Sequence, residues 1–324
     1  MMDGFRAVTD PDECQGAWKR AVPAEMVSDL WEVRDCFQRH FRRPAHFIVA
    51  EDGPTNGEVR GFLPLSWIEE VHCYGYFPGE TWHGKTWLEQ NRIVAADEDT
   101  LAELLGNCPG DYHLRYLIPR DYGDSDHQAV DEVGYLFLPP QYDYDMENYF
   151  QEFSHKSAKR IRRELDAFSA SGVSYRHDEL SDFDWLVELN VGRFGKDSYF
   201  YDLRFREGFR SLMHFLHDKG WLRLTALLIG GETAAVDIGC VYRGTYTLLA
   251  GGTHDGHPGV AKLINVHHMT RACQERFEAV DFLCGAFSWK QLFHLKPRPL
   301  YLLSSVPAEV SLPEPVEARS AACV

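Results

Sequence analysis

Apolar positions recur at helical spacing soon after Pro23. Met26, Leu30, Val33 and Phe37 stand at i, i+4, i+7 and i+11 and predict a helix with one apolar face. Residues 46–51 (HFIVAE) then read as a strand. Gly53-Pro54 and Asn56-Gly57 break it, and residues 59–67 read as a second strand, so this half starts as a helix followed by an antiparallel hairpin. Gly-rich aromatic sequence follows (Tyr74, Tyr76, Trp82, Trp87), then a predicted helix at 97–105 and a strand at 112–118. Pro139-Pro140 and the acidic-aromatic run Tyr142, Asp143, Tyr144, Asp145 close the half.

The second half is more regular. A helix over 146–170 is expected to stop at Gly172, which suits the left-handed position after a helix. A strand at 173–177 and helices at 183–194 and 205–218 come next. Strands at 221–229, 233–242 and 246–251, joined by the short turns Gly230-Gly231-Glu232 and Arg243-Gly244-Thr245, predict an antiparallel meander. Loop 252–258, helix 259–277, strand 280–284 and a last strand at 300–304 complete the order β-α-α-β-β-β-α-β-…-β. The pattern predicts an α/β fold with mixed, largely antiparallel sheets flanked by helices. It places an N-terminal domain at 1–145, a C-terminal domain at 146–310 and a loose Pro/Ala/Glu-rich tail at 311–324.

Composition narrows the function classes. The 324 residues are enough for two domains, and 13% aromatic content excludes a disordered chain. Lys+Arg number 33 against 49 Asp+Glu, a net charge of −16, which excludes a general duplex-DNA binder. No apolar run approaches the ~20 residues of a membrane-spanning helix. Met1-Met2-Asp3-Gly4-Phe5-Arg6 lacks the basic start and apolar core of a secretory leader, so the expected compartment is the cytoplasm. The eight cysteines form no CxxC pair; Cys240 and Cys284, inside apolar runs, read as small core residues. His214-x-x-His217 and His267-His268 have no third ligand at a recognisable spacing, so no metal is expected, and His214 and His217 are expected to pack within their helix.

Candidate chemistry gathers between Tyr246 and Lys290. A strand ending in Ala250-Gly251-Gly252, a loop through His254, Asp255, Gly256 and His257, and a helix opening at Gly259-Val260-Ala261-Lys262 form a strand-to-helix junction of small residues. Backbone N–H groups there can approach an anion, and the helix N-terminus adds partial positive charge. Asp237 sits in the apolar strand sequence Ala234–Val241, where a carboxylate is costly unless paired or working; it is a candidate base whose raised pKa would suit proton transfer near neutrality, or the partner of an Arg or a backbone N–H. His254 is a further candidate base, and Asp281 either serves the site or caps and pairs. Cations crowd residues 155–163, with Lys156, Arg160 and Arg163 on one stripe; the sequence reads as a solvated face that also suits phosphate-bearing partners.

Gly256-x-x-Gly259-x-Ala261, after a three-strand meander and before a helix, resembles the acyl-CoA loop of the GNAT acyltransferases. Gly256 stands where that loop usually carries Gln or Arg, and the main-chain donors of Gly259, Val260 and Ala261 do not depend on the side chain. Asp281-Phe282-Leu283-Cys284-Gly285 followed by Trp289-Lys290 is similar to the C-terminal signature of double-domain GNAT proteins related to the Fem-type peptidoglycan-bridge aminoacyl ligases. The resemblance implies two tandem GNAT-like domains and an N-acyltransferase that moves an acyl group from acetyl-CoA or another acyl-CoA to an amine. The acceptor would be a small molecule or a nucleotide- or lipid-linked precursor. It also implies a cation at Lys290 near the reacting carbonyl. Transfer from aminoacyl-tRNA, as in the Fem-type ligases, is the rival reading. A non-catalytic GNAT-fold binding module is a further one.

Overall fold

A computed structural model describes residues 4–51, 57–84, 86–119, 129–169, 171–285 and 288–306. The expected breaks at 53–56 and the tail at 311–324 lie outside the described residues. The chain forms two compact units. The first holds the described residues up to Val133 together with Glu207–Ser211 and those from Pro299 onward; the second holds Gly134–Arg206 and Leu212–Arg298.

In the first unit β1 (Phe5–Val8) precedes α1 (Pro11–Ala21), α2 (Trp31–Phe41), β2 (Ala45–Glu51), β3 (Val59–Ile68) and β4 (Cys73–Tyr76). β5 (Val94–Ala95), α3 (Glu98–Gly106) and β6 (His113–Leu117) follow. The sheet runs β1-β2-β3-β4, all antiparallel, with β5 beside β3. The helix expected just after Pro23 is displaced. Residues Val27–Asp29 make a single tight turn, and the regular helix starts at Trp31. An earlier helix, α1, went unread although Asp10 caps it, accepting from Asp12 N and Glu13 N at 3.0 and 3.1 Å, with Pro11 in its first turn. Its Trp18 is buried edge-on to Phe62 at 6.0 Å, and its indole N–H donates to Asp29 O at 2.7 Å. A buried aromatic of this kind contributes about 1.5–3 kcal/mol.

The second unit takes the end of β7 (Ala129–Phe137), then α4 (Met146–Phe150), α5 (His155–Ser169), β8 (Val173–His177), α6 (Asp182–Phe194) and α7 (Leu203–Asp218). β9 (Leu222–Ile229), β10 (Glu232–Tyr242), β11 (Thr245–Thr253), α8 (Val260–Gln274), β12 (Ala279–Asp281), α9 (Ser288–Leu292) and β13 (Lys296–Ser304) follow among the described residues. The predicted helix over 146–170 is two helices, because Ser154 starts the second: its Oγ accepts from Ser157 N at 3.2 Å and its carbonyl from Ala158 N at 2.9 Å. The sheet order is β7-β12-β11-β10-β9-β8. Val260, Leu263 and Ile264 of α8 pack on Leu227, Ala234 and Ala235, with Leu165 and Phe168 of α5 alongside. α6 covers the opposite face: a Cβ on Gly252 would meet Leu186 O at 2.9 Å.

The two units repeat one plan. β1-α1-α2-β2-β3-β4 and β8-α6-α7-β9-β10-β11 have the same element order, and each gives a four-strand antiparallel run in chain order. The predicted fold class, α/β with two mostly antiparallel sheets flanked by helices, is what the chain adopts.

Candidate active site

In the second unit's sheet the pairs β7–β12, β8–β9, β9–β10 and β10–β11 are antiparallel. β12 lies parallel to β11, and the ladder covers only Thr245↔Ala279, Tyr246↔Val280 and Thr247↔Asp281. β11 continues to Thr253 while β12 ends at Asp281. Where the ladder stops, the β10–β11 register shifts: Gly239 faces Leu248 and Ile238 faces Ala250, so Leu249 is the extra residue of a bulge. A bulge bends its strand and increases the local twist. The two parallel strands therefore part after Thr247 and leave a wedge along the second half of β11.

The wedge leads to the predicted cradle. After Thr253 the loop turns into α8 at Gly259, whose φ of +87° lies in the left-handed region that favours glycine. A Cβ there would also press on the Phe168 ring of α5 at 3.4 Å. The N–H of Val260 donates to His257 O at 3.1 Å and that of Lys262 to Gly259 O at 3.0 Å. Among the described residues, the N–H groups of Gly259 and Ala261 have no hydrogen-bond acceptor. Two of the three predicted main-chain donors thus remain for an anion, at the positive end of a 15-residue helix. Lys262 forms an ion pair with Glu164 of α5. His254 orders the loop: its Nδ1 accepts the Gly256 N–H at 2.9 Å, which assigns the ring proton to Nε2.

Residues 155–291 match the family model of the acetyltransferase (GNAT) domain. These residues form a GNAT domain. Among solved structures, the chain is similar to FemX, with a TM-score of 0.56 and 9% identity, over 92% of this chain and 96% of that one. It is also similar to the C-terminal domain assigned to a lysylphosphatidylglycerol synthetase of Agrobacterium fabrum (TM-score 0.51, 11% identity, 92% and 95% covered). A third is L-PGS from Bacillus licheniformis (TM-score 0.53, 10% identity, 94% and 95% covered). At these identities the likeness is one of fold. No curated protein sequence matches the chain.

Within the GNAT domain the predicted side chains fall into three places. Asp237 lies on β10 under α8, opposite Gly251, and is 4% exposed. His268 of α8 meets it, Nε2 to Oδ2 at 2.9 Å, with both side chains buried. This buried pair joins the helix that starts at the cradle to the centre of the sheet. A Cβ on Gly251 would fall on the Asp237 carboxylate, so the pair's space requires glycine there. Tyr246 stacks on His268 at 5.0 Å; burial, reinforced by the Asp237 charge, raises its phenol well above the usual value.

Lys290 and Asp281 sit at the end of β12. Lys290 is 2% exposed, and its Nζ donates to the carbonyls of Phe282, Leu283 and Cys284 at 3.0, 3.0 and 2.8 Å. Those carbonyls converge because Leu283 adopts a left-handed φ of +53°, which also ends β12 two residues into the predicted strand 280–284. Asp281 receives Arg298 Nη1 at 2.8 Å and Nη2 at 3.1 Å, and caps the Leu283 N–H at 2.9 Å. His268 stood out in the sequence only as half of the adjacent His267-His268 pair; its partnership with Asp237 escaped, since its i+8 spacing from Val260 carries no motif. Asn190 of α6 escaped as well, and its amide donates to Gly251 O at 2.7 Å.

His214 and His217 face solvent instead of packing, while Leu212 and Leu216 of the same helix are buried. Cys240 is fully buried and its thiol is pushed up to about 12 by desolvation, whereas Cys284 is half-buried. Among the described residues, no group of three His, Cys, Asp or Glu could hold a metal, and no helix is long and apolar enough to cross a membrane.

Proposed function

We propose that the protein is an N-acyltransferase that takes its acyl group from acyl-CoA and gives it to an amine. The observation that carries the reading is the parallel β11–β12 pair that parts after Thr247, with the glycine-started α8 at its open end. The wedge offers the edge of β11 to an extended thioester arm, and the Gly259 and Ala261 N–H groups suit the pyrophosphate. The acceptor amine attacks the thioester carbonyl, the C–N bond forms, the C–S bond breaks, and the thiol leaves with a proton. Water takes the ammonium proton before attack. Placing both reactants in one cleft supplies much of the rate.

The side chains act mainly by position. Lys290 fixes the Phe282–Cys284 carbonyls at one wall of the wedge, and Asp237, through His268, fixes α8. An Asp237→Asn variant separates this role from general-base catalysis. Retention of the pH profile supports positioning, and loss of the acidic limb, where a base would be protonated, supports a base. The donor reading is tested by chromatographic detection of free CoA released from acetyl-CoA in the presence of a panel of primary amines. Amine-dependent release supports it; no release with any acyl-CoA and any amine contradicts it.

A second reading has one observation in its favour. On α5 the residues Lys156, Lys159, Arg160, Arg162 and Arg163 are all exposed, and among the described residues only Arg162 has a carboxylate partner, Glu147 at 2.5 Å. Such a face on a chain of net charge −16 suits a polyanion, as aminoacyl-tRNA is. Salt-dependent tRNA binding, weakened by reversing Lys156, Arg160 and Arg163 to Glu, would favour it over acyl-CoA.

A further inference from the structure

The first unit contains a wedge of its own. Tyr74 of β4 bridges Tyr112, next to β6, in the parallel sense, and the two strands then part. This is the position that β11 and β12 occupy in the repeated plan. Among the described residues between β4 and β5 there is no glycine-started helix. The chain instead returns through Asn91, whose backbone pairs with β6 (Asn91 N to Tyr116 O at 2.8 Å, Ile118 N to Asn91 O at 2.9 Å). What remains is a small, open cleft walled by β4 and β6 and lined by Arg34, Glu80, Asn91, His113 and Arg115 among others.

The chemistry of that cleft is not that of a core. Arg34 is 1% exposed, held between Trp18 and Tyr76 with its guanidinium 5.5 and 5.0 Å from their rings. Its Nε donates to Ser28 O at 2.8 Å, and its Nη1 to Phe77 O at 3.1 Å and Asn91 Oδ1 at 2.7 Å. Among the described residues no carboxylate reaches it within ion-pair distance, although Glu80 and Asp29 lie near enough to favour its charge, and its Nη2 has no acceptor. Buried charges are ordinarily paired. Glu80 is equally buried. Its Oε1 accepts from Thr86 Oγ1, Trp87 N and Leu88 N at 2.7, 3.1 and 2.7 Å, and the Glu80 N–H also bonds the carboxylate; no other described residue donates to Oε2. Arg115, by contrast, is neutralised by Asp131, to which it is bidentate at 2.8–3.1 Å.

We propose that this cleft binds a small amino-acid-like zwitterion, its carboxylate on Arg34 Nη2 and its ammonium on Glu80 Oε2. A guanidinium and a carboxylate, each with one side already fixed by the fold, form a preorganised pair of opposite charges for such a ligand. The proposal does not depend on the acyl-transfer reading, since every residue it uses belongs to the first unit.

Saturation-transfer NMR on the full chain, titrating glycine, acetate and ethylammonium to 10 mM or so, tests it, as small polar fragments bind at best weakly. Glycine is expected to saturate at least fivefold more tightly than acetate, with ethylammonium weaker than either. Arg34→Gln is expected to lose at least tenfold in glycine affinity. If Arg34→Gln does not fold, Val71→Trp, which fills the cleft from its half-buried rim, carries the same expectation. Absence of saturable glycine binding to the folded wild type overturns the proposal. So does binding retained in Val71→Trp, or acetate binding as tightly as glycine.

Discussion

Removing the Asp237 carboxylate should cost the second unit a large part of its stability. The pair with His268 is buried, with side-chain exposures of 5% and 3% and a separation of 2.9 Å. In Asp237→Ala the His268 N–H loses its acceptor without gaining water. A buried unsatisfied donor costs about 1–3 kcal/mol, and breaking an ionised buried pair about 3–5, so a loss of about 3 kcal/mol is expected. For a unit of this size that lowers Tm by roughly 6–12 °C. Asp237→Asn keeps an acceptor oxygen and should cost about 1 kcal/mol or less. Urea unfolding of Asp237→Ala, His268→Ala and the double variant forms a cycle. Its coupling energy should reach about 2 kcal/mol, since each single change already removes the contact. Gly251→Ala, whose new Cβ falls on the carboxylate, should be less harmful in the Asp237→Ala background than in the wild type. Additive single effects, or an Asp237→Ala protein as stable as the wild type, would refute the view that this pair ties α8 to the sheet.

Other outcomes follow from the same geometry. Lys290→Met removes the donor shared by three carbonyls and should destabilise by about 3 kcal/mol in urea titration; a neutral result would mean that those carbonyls find other donors. His267 stacks on Tyr175 at 3.8 Å, and burial, then the neighbouring His268, His177 and Arg271, pulls its pKa from 6.5 to about 3. The unfolded ring takes a proton near 6.5 and the folded ring resists it, so this contribution is intact above pH 6.5 and is lost as pH falls toward 3. Because the ring is only partly buried, the slope should stay well below the full value of about 1.4 kcal/mol per pH unit, and His267→Phe should flatten the Tm profile between pH 7 and 5 or so. An unchanged profile would remove His267 from the acid sensitivity of the fold.

Much of the second unit was legible because its strands and helices carry strong periodicity and glycine punctuation. The meander, β8 and α8 fall within a few residues of their predicted spans, and α8 starts at the small-residue junction around Gly259 where the sequence opened a helix. The split of the 146–170 helix was not legible, because Ser154 acts through a capping bond that competes with an otherwise continuous helical pattern. In the first unit Asp10-Pro11 announced α1 but the four-residue β1 before it is too short for a periodic signal. Site partners were the least legible. Asp237 stood out as a carboxylate in an apolar strand, but its histidine comes from a helix 31 residues later, and only the register of β10 against α8 brings them together. Lys290 was singled out from a motif; that its ammonium is taken up by a left-handed turn at Leu283 is a property of backbone geometry.

The measurement that bears most directly on the acyl-donor reading is a calorimetric titration of the wild type and of Gly259→Asp with acetyl-CoA and with CoA. The φ of +87° makes any side chain there strained, and an added carboxylate would face the pyrophosphate. The account predicts saturable binding by the wild type and at least a tenfold loss in a folded Gly259→Asp protein. No heat of binding to either ligand up to roughly 500 μM, or equal affinity in the variant, would contradict it.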